Sequence, residues 1–315
     1  MPPPHDLSIR PLGLGEIIDR SIGLTRCHFR LLFAAMLAIE APALALGRLQ
    51  QARAVEALAL LADPSRAVTE AASFGWLSLG FLLALLVLQL AATAAAAAIV
   101  APSLDPSAQA GPSGARRIAA VVTAGIVQLV VLLVAPLLGL LPGLVLAVRA
   151  QATATRWVGV AAAAAGGLVV LTVAVLRLVL VPAVAAVEGR GGIRAALRSS
   201  RLMAPIRGGR FRDRPGLRAS LVLLATFLLA LAASGLAGLP RAIAARATGT
   251  AGPLGLLGAA LPLPLEVAVS IFEAAATAAI QPFSLVAVAV LYFDRRARTE
   301  ALDVEIWAAR LEAER

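Results

Sequence analysis

Apolar residues in this chain come in long runs separated by short polar segments. Six runs have the length of a bilayer-crossing helix, about 17–25 residues or more. They cover residues 31–47, 74–101, 118–148, 158–187, 219–239 and 265–293. The apolar stretch after Pro253 is too long for one crossing, so it divides at Pro264 into an outer interfacial piece and the last span. Residues 1–30 behave differently. Leu14, Ile17, Ile18, Ile22 and Leu24 alternate with Glu16, Asp19, Arg20 and Arg26 at helical spacing. Such a helix either lies on the cytoplasmic membrane surface, which its charged face and the adjacent span favour, or packs as a cytosolic helix. The predicted fold class is all-α: a polytopic transmembrane bundle of about six helices with cytoplasmic amphipathic elbow helices. An amphipathic segment (1–30) precedes the transmembrane domain (31–293), and a charged cytoplasmic tail (294–315) follows it.

Composition agrees with lipid as the solvent. Apolar residues make up 60% of the chain and charged residues 15%, against about half and a quarter in soluble domains. The formal net charge is +10, and every basic residue other than the two histidines is arginine. On a soluble protein this charge would point to nucleic acid. Here the arginines cluster in short segments between apolar runs, and aromatics for base stacking are sparse. The distribution instead sets orientation. Placing both termini in the cytoplasm puts the densest basic segment, Glu188 to Arg218, inside, as the positive-inside rule requires. The expected location is a bacterial plasma membrane. The opening MPPPHD is proline-rich and polar, unlike a secretory signal, so the first span is expected to direct insertion.

Catalytic signatures are missing. There is no phosphate-binding GxxxxGK[ST] loop, HExxH or CxxC. With only His5, His28 and Cys27, a histidine metal cage or a triad has little to draw on. No enzyme activity, cofactor or metal is expected. The informative polar residues lie inside the spans. Glu40 and Arg177 each sit roughly ten residues from the cytoplasmic end, about 15 Å deep by helical rise, half of a roughly 30 Å core. Gln89, Gln128 and Gln281 fall at similar levels. Charges in lipid are costly and usually face a bundle interior. The expectation is a midplane polar cluster of Glu40, Gln89, Gln128, Arg177 and Gln281, with Glu40 paired to Arg177. Glu266 and Glu273 read as interfacial. Pro42, Pro136, Pro142, Pro182 and Pro282 should break or kink their helices, with a break at Leu141–Gly143.

In EGRGGIRAAL, glycines open a helix beside arginines. Arg190, Arg194, Arg198 and Arg201 are the candidates for contact with anionic phospholipid or a partner. The alternative for the glycines is a tight turn out of the fourth span. GEIIDRSIGLTRCHFRLLF and GGIRAALRSSRLMAPIRGGRF share an amphipathic helix with a basic, aromatic-tipped end. They read either as copies of one repeat, with the middle copy reduced to the Gly/Pro/Ser loop before the third span, or as a chance similarity between amphipathic segments.

Three segments together carry a family resemblance: RPLGLGEIIDRSIGL (10–24), VPAVAAVEGRGGIRAALRSSRLM (181–203) and PFSLVAVAVLYFDRRARTEALD (282–303). The carrying residues are Leu14, Gly15, Glu16, Ile18, Asp19 and Arg20; Pro182, Glu188, Ala196, Leu197, Arg198 and Ser199; and Pro282, Tyr292, Asp294, Arg296, Arg298, Glu300 and Asp303. The chain resembles the membrane domain fused to some bacterial glycerophosphodiester phosphodiesterases, also common as free-standing multi-pass proteins, and the YciC-like membrane proteins. Thr299 and Ala301 stand where that pattern has a basic residue and a glycine, which weakens any role tied to the basic residue. The resemblance implies membrane architecture, not hydrolysis, since the phosphodiesterase barrel has no counterpart here. The expected function is a non-enzymatic membrane module that scaffolds a protein partner or engages lipid. The alternative is a transporter or permease-like subunit using the midplane cluster, with Gly192–Met203 coupling to a cytoplasmic ATPase.

Overall fold

The computed structural model describes residues 12–60, 64–104, 114–149, 153–204, 215–248 and 261–300. Every regular element among them is helical: α1 (Leu14–Cys27), α2 (Phe29–Leu60), α3 (Pro64–Leu104), α4 (Gly114–Arg149), α5 (Thr153–Leu178), α6 (Val181–Glu188), α7 (Gly192–Leu202), α8 (Pro215–Ala247) and α9 (Leu263–Glu300). An all-α solution follows from lipid as solvent, because a helix satisfies its backbone groups internally. Six helical stretches are long and apolar enough to cross a membrane: Phe29–Leu49, Leu83–Leu104, Arg116–Arg149, Thr153–Glu188, Pro215–Ala247 and Leu263–Glu300. The chain is a polytopic helical membrane protein.

The prolines act less uniformly than their chemistry led us to expect. α2, α4, α8 and α9 run on through Pro42, Pro136, Pro142, Pro240 and Pro282. The expected interruption at Leu141–Gly143 is therefore a continuous helix. A proline removes one N–H, and membrane helices absorb that loss through small local adjustments and neighbouring groups. Pro182 differs. The chain turns at Val179–Leu180, and Pro182 falls in the first turn of α6, where its missing N–H costs nothing. The fourth apolar run is thus two helices.

The described residues divide into two compact units. One is drawn from Met1–Arg20, Val100–Leu223 and Ala287–Arg315, the other from Ser21–Ile99 and Leu224–Val286. In the first unit α4 packs along α5 and also meets α6 and α7. Small residues set the α4–α5 spacing. A Cβ on Gly139 would come within 2.6 Å of the Gly166 carbonyl oxygen, and one on Gly159 within 2.5 Å of the Ala147 nitrogen. A Cβ on Gly143 would overlap the Ala163 backbone. Without a hydrophobic force between helices in lipid, such close approach is what holds them together. One face of α4 looks outward: Ile118, Val122, Ile126, Leu133, Leu137 and Leu144 are all exposed, as lipid-facing residues should be.

α1 begins with half of a capping box. The Gly13 N–H donates to Glu16 Oε2 at 2.6 Å. Ile17, Ser21 and Leu24 are buried while Glu16, Asp19 and Arg26 are exposed. Part of the apolar face of α1 is therefore covered by the chain itself, while Ile22 remains exposed. The two amphipathic segments compared above are each a separate short helix, α1 and α7. The Gly/Pro/Ser loop lies mostly outside the described residues.

Candidate functional site

The end of α9 carries two stripes at i,i+4 spacing. On the first, Tyr292, Arg296 and Glu300 follow one another. The Arg296 guanidinium lies 5.8 Å from the Tyr292 ring centroid, and its Nε donates to Glu300 Oε2 at 3.2 Å. On the second, Arg298 Nε donates to both Asp294 oxygens, at 3.0 and 3.1 Å. Each stripe receives a different remote segment.

The first stripe receives the α6–α7 corner. α6 ends at Glu188 because Gly189 adopts the left-handed conformation (φ 65°) and its N–H donates to Ala185 O. Glu188 accepts hydrogen bonds from the Tyr292 hydroxyl at 2.9 Å and from Arg198 Nε at 3.0 and 3.2 Å. Arg190 Nε reaches the same carboxylate at 2.9 Å. Arg198 also pairs with Glu300. Burial works against the Arg198 charge, but the Glu300 hydrogen bond and the Glu188 charge outweigh it, and the pKa is raised. Arg198 therefore stays cationic at any pH the folded protein meets.

The second stripe receives the chain before α1. The Leu12 N–H donates to Asp294 Oδ1 at 2.8 Å, and the Leu12 carbonyl accepts from Arg218 Nη2 and Arg298 Nη2, both at 2.8 Å. Arg218 Nη1 lies 3.5 Å from Asp294 Oδ2. Between the stripes, the fully buried Arg295 donates from Nε to Leu202 O at 2.9 Å. A cation at the last carbonyls of α7 also meets the negative end of its dipole. Leu12, the α6–α7 corner and the end of α9 thus meet in one unit, with Arg218 of α8, in a clasp of charged side chains and backbone groups. Asp303 lies outside the described residues.

The four arginine candidates separate. Arg198 faces the clasp and Arg190 is tied to Glu188 by one edge while half-exposed. Arg194 and Arg201 are exposed, alongside Ile193 and Leu197. The glycines have a packing explanation, since a Cβ on Gly191 would strike Thr123 Oγ1 and lie 3.1 Å from Ala120 Cα of α4. Gly192 has φ 56°, a conformation that favours glycine.

The midplane residues separate too. Arg177, in the last turn of α5, donates from Nη1 to Ser200 Oγ at 3.3 Å, and its carbonyl accepts from Ser199 Oγ at 2.7 Å. Glu40 belongs to the other unit, where it is hydrogen-bonded to Gln281. Gln281 Nε2 donates to Gln89 Oε1 at 2.9 Å. Glu40, Gln89 and Gln281 thus come together from α2, α3 and α9. Gln128 is buried in α4 of the first unit, and its Oε1 has no hydrogen-bond partner among the described residues.

The sequence reading missed one constellation, in the second unit. Arg241 of α8 makes a bidentate pair with Glu266 (2.9 and 2.7 Å) and donates from Nε to Glu273 Oε1 at 2.9 Å. Arg48 of α2 pairs with Glu273 and lies 3.7 Å from Glu266. Ser270 Oγ is 3.4 Å from both Glu266 and Arg241. Glu266, Ser270 and Glu273 recur at i, i+4 and i+7, a single helical face. That spacing was the available signal, lost by taking each glutamate alone. Among the described residues no group of His, Cys, Asp and Glu side chains has the arrangement to hold a metal ion.

Helix count, apolar spans and buried charge clasps define the class: a polytopic α-helical membrane protein. No family model, curated protein or solved structure matches the chain.

Proposed function

We propose that this protein is a non-enzymatic, lipid-engaging module of a bacterial plasma membrane, with both termini cytoplasmic and α7 seated in the inner headgroup layer. The observation that carries this reading is the outer face of α7. Ile193, Arg194, Leu197 and Arg201 form one exposed stripe at helical spacing, with the half-exposed Arg190 just before the helix, while Ala195, Ser199 and Leu202 are buried and Arg198 is drawn into the clasp. An exposed stripe mixing large apolar side chains with arginine suits neither bulk water nor the hydrocarbon core. It suits the boundary, where apolar side chains enter the acyl region and guanidinium groups meet phosphate. The positive-inside bias supports the orientation. The resemblance to the phosphodiesterase-associated membrane domain supports a role without its own chemistry.

Each arginine near an anionic surface contributes about 1 kcal/mol. Three together give roughly a hundredfold preference for anionic over zwitterionic lipid. The test is reconstitution in nanodiscs of mixed phosphatidylglycerol and phosphatidylcholine, with native mass spectrometry of retained lipid. Wild-type protein should retain phosphatidylglycerol preferentially, and the triple variant Arg190→Gln, Arg194→Gln, Arg201→Gln should lose the preference while staying folded. Equal retention of both lipids by wild-type protein would discard the proposal. A second reading, a permease-like subunit, draws on the intramembrane meeting of Glu40, Gln89 and Gln281. It would gain ground if a cytoplasmic ATPase co-purified in stoichiometric amount.

A further inference from the structure

The carboxyl of Glu40 sits in the apolar stretch Phe29–Leu49, close to its middle. It is half-buried, and its hydrogen-bond partner is the carboxamide of Gln281. Gln281 in turn reaches the exposed Gln89. Among the described residues, the groups facing Glu40 are thus neutral amides from α9 and, through it, α3. No guanidinium compensates the carboxylate, unlike Glu266 and Glu273, which hold arginines in the same unit. A bare carboxylate in hydrocarbon is expensive, and the cheapest relief is a proton. A second observation points the same way. Gln281 Oε1 is buried and has no hydrogen-bond partner among the described residues, so the amide that meets Glu40 has an acceptor open to a carboxylic acid O–H. Two prolines add acceptors nearby. Pro42 and Pro282 leave the carbonyls of Ala38 and Ala278 without their helical N–H partners, each within three residues of Glu40 or Gln281 along its helix.

We propose that Glu40, Gln281 and Gln89 form an intramembrane proton-binding site, with Glu40 as the group that takes up and releases the proton and the two amides as its hydrogen-bonded neighbours. The site stands independently of the reading of α7, since it lies in the other unit and uses no arginine.

A hydrophobic carbodiimide, dicyclohexylcarbodiimide, tests this in liposomes carrying the full-length protein. A protonated carboxyl adds across one N=C bond: its proton goes to nitrogen and its oxygen to the central carbon. The acylisourea then rearranges to an N-acylurea, so the adduct mass equals the whole reagent. Peptide mass spectrometry should find the adduct on Glu40, with yield falling as pH is raised and unchanged by sodium chloride at constant ionic strength. Glu40→Gln should lose the adduct entirely. Infrared spectra of the same liposomes should show a protonated-carboxyl carbonyl band that shifts in deuterium oxide and is absent in Glu40→Gln. The proposal is overturned by an unlabelled Glu40 together with no band lost in Glu40→Gln. It is equally overturned by labelling that sodium suppresses at fixed pH, since the occupant would then be a metal cation.

Discussion

The two units each hold buried arginines and carboxylates, and they use them in opposite ways. In the second unit, Arg48 and Arg241 answer Glu266 and Glu273, charge for charge. Three helices contribute, and these pairs join side chain to side chain. In the first unit, Glu188, Asp294 and Glu300 are surrounded by Arg190, Arg198, Arg218, Arg296 and Arg298. Among the described residues cations exceed carboxylates, and backbone atoms of Leu12 and Leu202 are drawn in. A closed, neutral network can fix helix packing within apolar surroundings, where every unpaired charge is penalised. One that draws in backbone groups gathers distant segments of the chain.

That contrast can be tested by degrees. The largest effect is expected at Asp294, whose side chain is fully buried and serves Leu12, Arg218 and Arg298 together. Asp294→Ala strands two guanidinium groups and an amide, and should cost about 3–5 kcal/mol. The readout is the thermal unfolding midpoint in detergent, accompanied by protease sensitivity near Leu12. Glu273→Gln comes next. Arg241 keeps its bidentate partner Glu266, so the loss should be about 1–3 kcal/mol. Replacing Arg48, Arg241, Glu266 and Glu273 together by apolar residues of similar size should recover most of that stability, because a closed ion network in an apolar setting is roughly exchangeable for packing. The same treatment of the clasp should not recover it, since Leu12 N–H and O and Leu202 O would remain unpaired.

Tyr292→Phe removes one hydrogen bond to a carboxylate that keeps two arginines. A loss of about 1–2 kcal/mol is expected, and Glu188→Gln in the same background should cost less than it does alone, because their shared hydrogen bond is already gone. Arg194→Gln should be the mildest, within about 0.5 kcal/mol in unfolding. It should still weaken anionic-lipid retention about fivefold, the equivalent of one surface arginine. An unfolding loss as large as that of Arg198→Gln would show that Arg194 serves the fold and not the membrane.

Long apolar runs made the helices legible, because hydropathy and length alone decide whether a segment suits lipid. Azimuth was not legible from depth. Arg177 and Glu40 were expected to pair because both lie about halfway along their runs, yet depth says nothing about which way a side chain points. The turn at Val179–Leu180 also ends the helix of Arg177 beside the serines of α7. Spacing carried more than it was asked to. Arg194 and Arg201 are a heptad apart on the exposed face of α7, whereas Arg198 lies toward the buried Ala195, Ser199 and Leu202 and Arg190 precedes the helix. The Leu141–Gly143 break failed because proline and glycine were read as punctuation learned from water. In lipid, Gly143 instead admits a neighbouring backbone.

The glycine seam between α4 and α5 has a consequence for how the protein is made. Its contacts join helices consecutive in the chain, so closing it costs little loop entropy. Once both helices have left the ribosome, nothing further downstream is needed for them to zip together. Nascent chains truncated soon after Leu178 should therefore already hold a protease-resistant hairpin, a preformed wall against which the later arginine-bearing segments assemble.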